Sequence, residues 1–114
     1  MFRFFVLAVL LAVPLSCAHS GHIVRYSIYC PQTCGWSAVS YRGAYGMEQG
    51  KALNDWSHQV VSEPGEQFVF TVQRTDGLLR EPVYIYVYID DREVMSERLE
   101  PGDAGPITLA GEVP

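Results

Sequence analysis

The sequence predicts an all-β domain of the sandwich or barrel class, on three observations. Short runs rich in β-branched and aromatic residues recur at intervals near a dozen residues, turn residues bound them, and no helical apolar stripe is sustained for ten residues. At 114 residues the chain has room for one such domain.

The first element is a leader. Met1-Phe2-Arg3 carries one positive charge, and Phe4 to Val13 is an unbroken apolar run of ten residues ending at Pro14 and small residues. A spanning helix needs about 20 apolar residues, so the run is too short for a stable anchor and has the form of a signal-peptide core. Leu15-Ser16-Cys17 resembles the bacterial lipobox, with Pro14 where leucine usually stands. Residues 1–18 are therefore expected to be a lipoprotein-type signal peptide, cut before Cys17, which then takes lipid, or after Ala18, which would release His19. The second cut exposes an amine on His19 three residues before His22, a plausible copper chelate and the competing reading of this segment. Several acyl chains on Cys17 would instead give lasting membrane attachment.

Seven strand candidates follow. Ile23–Tyr29 is stopped by Pro31, and Gly35–Gly43 alternates, with Val39 and Tyr41 opposite Trp36 and Ala38. Trp56–Val61 ends at Glu63-Pro64-Gly65. Gln67–Arg74 sets Phe68, Phe70 and Val72 on one face and closes at Asp76-Gly77. Val83–Ile89 follows Pro82, Arg92–Leu99 comes after only Asp90-Asp91, and Pro106–Val113 completes the set. The intervening segment Tyr45–Asn54 reads as a loop, because Gly46 and Gly50 disfavour a helical turn there.

Val83–Ile89 is the strongest candidate and is expected at the centre of a sheet. Val83, Ile85, Val87 and Ile89 face one way, into the core, and Tyr84, Tyr86 and Tyr88 the other. That tyrosine row has two readings: cross-strand packing with hydroxyls in solvent, or a flat aromatic platform for a partner protein or glycan.

Cys30 and Cys34, in Cys-Pro-Gln-Thr-Cys, are close enough to join across a tight loop in an oxidising compartment. With no second cysteine pair or histidine cluster they fall short of a zinc constellation, and a plain disulfide is the expected state ahead of redox work. Cys17 is then the thiol left over for lipid.

Beyond residue 18 the chain has seven basic against thirteen acidic side chains, a formal charge of −6. That balance repels a phosphate backbone and argues against a nucleic-acid partner. Asp55, Ser57 and His58 are the residue types of a hydrolase, but alternation sends Ser57 and His58 to opposite faces and no Gly-x-Ser-x-Gly elbow is present. Asp90, Asp91 and Glu93 lack calcium-loop spacing and read as a solvated hairpin turn. No enzyme and no cofactor is expected.

The order of features resembles the soluble domain of the mycobacterial membrane protein small (MmpS) family. The match rests on the strand Val24-Arg25-Tyr26-Ser27-Ile28, on Ser37–Gly43, on Asp55–Val61 with its Trp-Ser, and on Val83–Leu99. The resemblance implies an immunoglobulin-like antiparallel sandwich and, by analogy, a helper bound to an envelope transporter. The family's hairpin Asp-Gly corresponds to Asp91-Arg92, which makes a type I′ turn less comfortable. The family usually keeps an uncleaved membrane helix, and the Cys30–Cys34 loop matches none of the motifs that carry the resemblance. The expectation is thus a seven-stranded sandwich over residues 22–114, carried on a lipid-anchored protein of a bacterial cell envelope that works by binding.

Overall fold

The computed structural model describes residues 21–75 and 81–114. Within them lie eight strands: β1 (His22–Tyr29), β2 (Trp36–Gly43), β3 (Gly46–Leu53), β4 (Trp56–Ser62), β5 (Gln67–Arg74), β6 (Val83–Ile89), β7 (Arg92–Leu99) and β8 (Ile107–Glu112). They form two four-stranded sheets, β4-β1-β6-β7 (sheet A) and β3-β2-β5-β8 (sheet B), with every pairing antiparallel. The expected Asp76-Gly77 closure and the segment expected to be a leader, with Cys17 and His19, lie outside the described residues.

Alternation builds the core. The inward rows Val24, Tyr26 and Ile28 of β1 and Val83, Ile85, Val87 and Ile89 of β6 meet Phe68, Phe70 and Val72 of β5 and Val39 and Tyr41 of β2. β6 pairs on both sides, with β1 and β7, and so lies in the interior of sheet A as its strand pattern predicts. Trp56 and His58, inward on β4, close one side of the core. The Trp56 ring lies 5.5 Å from Tyr41 and 5.7 Å from Phe70, and His58 lies 4.7 Å from Tyr41.

Two expectations are corrected. The strand count is eight among the described residues because Gly46–Leu53, expected to be a loop, pairs along its whole length with β2. It hides from a pattern search because it is an edge strand at the margin of the core. Its inward positions are Gly46, Glu48, Gly50 and Ala52, of which only Ala52 is buried, so backbone pairing holds it and no apolar alternation marks it. The β6–β7 corner is Asp90-Asp91, as the strand bounds predict and one residue earlier than the family resemblance implies, and Arg92 pairs with Ile89. Both aspartates have positive φ, 51° and 65°, as the two central residues of a type I′ turn must. Aspartate tolerates that region better than most residues with a Cβ.

Candidate functional site: the outer face of sheet A

Cross-strand register places three rows side by side on the solvent face of sheet A. Arg25, Ser27 and Tyr29 of β1 lie opposite Tyr88, Tyr86 and Tyr84 of β6. On the other flank Glu93, Ser96 and Arg98 of β7 lie opposite the same three tyrosines. Tyr84, Tyr86 and Tyr88 are half-buried by these neighbours, and Tyr29, 50% exposed, extends the aromatic surface onto β1.

The tyrosines touch one another and two cations. Ring centroids are 6.1 Å apart for Tyr29 and Tyr84 and 5.7 Å for Tyr86 and Tyr88, within the range of favourable offset and tilted aromatic pairs. The Arg25 guanidinium sits 4.3 Å over the Tyr88 ring and that of Arg98 5.5 Å over Tyr84. Each arginine also meets an acid, Arg25 donating to Asp91 Oδ1 at 3.1 Å and Arg98 lying 3.2 Å from Glu100. The cations are thereby neutralised, and the face is an aromatic plate of low net charge on an acidic molecule. Ser27 and Ser96 are small, so Tyr86 stands between low neighbours. Desolvation, and then the nearby Tyr88 and Glu93, pushes its hydroxyl above the ordinary tyrosine value, keeping it a neutral hydrogen-bonding group.

Alternation alone exposes the three β6 tyrosines. Arg25, Tyr29 and Arg98 were missed as members of the plate; their outward phase is legible in the sequence, but the register that brings them beside β6 is not.

The other sequence candidates have structural employment. Cys30 and Cys34 are joined by a disulfide with Cα atoms 6.0 Å apart, and both are buried. The β3–β4 corner holds this loop: Asn54 Oδ1 accepts from the Cys34 and Gly35 N–H groups at 3.0 Å, and Asp55 Oδ1 from Cys30 N–H at 2.7 Å. Asp55 is thus turned to the loop, Ser57 is exposed on the outer face, and His58 is turned to the core. His22 Nδ1 lies 2.6 Å from Asp90 Oδ2, while Asp90 Oδ1 accepts the Ile23 N–H at 3.0 Å. Together with an Asp90 N–H to Ile23 carbonyl bond, these contacts tie the start of β1 to the β6–β7 corner. Among the described residues no group of three or more His, Cys, Asp or Glu side chains is placed to hold a metal ion.

No known protein family matches the chain, and no curated protein matches it.

Proposed function

We propose that this is a non-enzymatic binding module of a bacterial cell envelope, held at the membrane by lipid on Cys17, that docks onto an envelope protein through the outer face of sheet A. The observation that carries the reading is the plate of Tyr29, Tyr84, Tyr86 and Tyr88 on one sheet face, with its arginines already neutralised. Tyrosine offers large, rigid contact area at little cost in side-chain entropy, and aromatic residues with arginine are enriched where proteins meet. Resemblance to the MmpS family supports a transporter as the class of partner, by analogy alone. We also infer an immunoglobulin-like topology. The spatial order β3-β2-β5-β8 follows the C′-C-F-G sheet of a variable-type domain, and β4-β1 the E-B pair, with the β6–β7 hairpin in the place of strand A but entering the chain between the F and G equivalents instead of before B. The exposed Trp36 on β2 departs from antibody domains, where that strand carries a buried tryptophan.

The test is photo-crosslinking in cells with a reactive residue at position 86 or, on the outer face of sheet B, at position 108. Adducts with one envelope protein from position 86 and none from 108 are expected. Equal capture from both faces, or none from position 86, defeats the proposal.

A further inference from the structure

A sheet edge presents unpaired N–H and C=O groups, and native chains blunt it with charge, proline, glycine or a bulge unless another strand covers it. Among the described residues the sandwich has four edge strands, β4 and β7 in sheet A and β3 and β8 in sheet B. Three are blunted. β7 carries Arg92, Glu93, Glu97 and Arg98 and a register shift opposite Val87/Tyr88. β3 has Gly46, Glu48, Gly50 and Lys51. β8 runs between Pro106 and Pro114 and ends at Gly111-Glu112.

β4 has none of these devices. Trp56–Ser62 contains no Asp, Glu, Lys, Arg, Gly or Pro, and its ladder to β1 runs through seven consecutive pairs without a shift. A straight ladder on one side leaves an equally regular row of groups on the other. Its outward side chains include Val61, 68% exposed, which lies beside the exposed Ile23.

We infer that a second copy of this chain covers the β4 edge, the two strands lying antiparallel about a twofold axis at Gln59. In that register Gln59 faces Gln59 of the second copy, Ser57 faces Val61, and His58 faces Val60. The inward row and the outward row each meet themselves, so both faces of sheet A continue across the axis, as an isologous contact requires. Two primary amides facing each other offer donor to acceptor both ways. Arg25, beside Gln59 on β1, stands about 14 Å from its symmetry mate, three strand spacings, which is beyond the screening length at physiological salt. Past each end of the strand Asp55 faces Glu63 of the second copy. Pairing therefore stops at the strand ends, and added salt strengthens it.

The test uses the full chain carrying Cys17→Ser, which removes the acylation site and the spare thiol, followed by sedimentation velocity. A concentration-dependent dimer that tightens with salt is expected. Gln59 is exposed on the single copy, so Gln59→Lys and Gln59→Glu leave the circular dichroism spectrum unchanged. Each opposes like charges at the axis and weakens association on the order of tenfold. An equimolar mixture of the two restores it. Gln59→Cys links two copies on oxidation, because both antiparallel Cα spacings, about 4.5 and 5.5 Å, fall in the disulfide range. A chain that stays monomeric at millimolar concentration overturns the inference. So does a dimer indifferent to both charge variants, or one that their mixture does not restore.

Discussion

At Asp90 three demands meet in one residue. Its backbone takes a positive φ for the hairpin corner, one carboxylate oxygen receives the Ile23 N–H, and the other meets His22. The hydrogen bond from His22, then that from Ile23, holds its carboxyl below the ordinary carboxylate value. A depressed folded-state value means that the contribution is present above the ordinary carboxylate range and lost as pH falls through the depressed value. Asp90→Asn keeps the acceptor and tolerates the backbone but gives up the charge. The acid decline of the thermal midpoint between about pH 5 and 2 is therefore expected to be shallower than in the native chain; superimposable declines would contradict this role. Tyr26 makes the opposite case. Its ring is buried 5.2 Å from Phe70, its hydroxyl donates to the Arg42 carbonyl at 2.9 Å, and burial pushes its ionisation up from 10.0 to about 12. Folding favours the neutral form, so this contribution is intact below pH 10 and lost as pH rises toward 12. Tyr26→Phe is expected to cost about 1–2 kcal/mol at neutral pH, from the lost bond and the bared carbonyl. It should also make the alkaline decline in denaturation midpoint across that window shallower, leaving the part that Tyr41 and Tyr86 contribute.

Strand by strand, what the sequence reveals depends on whether side chains or backbone hold the strand. β1, β2 and β4 to β8 are legible because each drives a row of side chains into the core, and that row has a period of two. β7 is the weakest of them, burying only Leu99 outright with Met95 in partial contact, and its link to β6 by two residues is what gives it away. β3 escapes because it contributes Ala52 and little else to the interior. The same distinction governs the candidate site. Phase along β1 and β6 tells which residues point outward, but pairing of Tyr29 with Tyr84, or of His22 with Asp90, joins residues more than fifty positions apart and depends on register. The expected consequence for β6 is sharp. Ile85 is fully buried at the centre of sheet A, where burial of its side chain is worth about 1.5–3 kcal/mol and a carboxylate would lack a partner. Ile85→Asp should therefore abolish the cooperative unfolding transition, whereas Ser96→Asp, exposed on the neighbouring strand, should leave the transition in place. Calorimetry on the two variants separates a core-facing row from a solvent-facing one.

For the molecule as a whole, the proposal joins a sandwich with a plain aromatic face to an attachment that limits its diffusion to a membrane surface. The balance of charge fits such a part: seven basic and thirteen acidic side chains beyond residue 18 keep the domain from clinging to anionic lipid, so on this proposal attachment comes from lipid on Cys17. A single acyl chain binds only marginally and reversibly, and lasting attachment needs two or more. Cys17 is the residue able to carry them, since the other two cysteines are consumed by their own disulfide. Intact-mass measurement of the processed protein decides the matter. Lipidation predicts a chain beginning at Cys17 with a mass increment of several acyl groups, and Cys17→Ser should remove that increment and release the protein from the membrane fraction. An unmodified chain beginning at His19 would overturn the anchor and revive the copper reading. On that outcome, addition of copper should perturb His22 and, because His22 bonds Asp90, loosen the β6–β7 corner as well. The Tyr29, Tyr84, Tyr86 and Tyr88 plate would survive either result, because β-sheet register and not the tether assembles it.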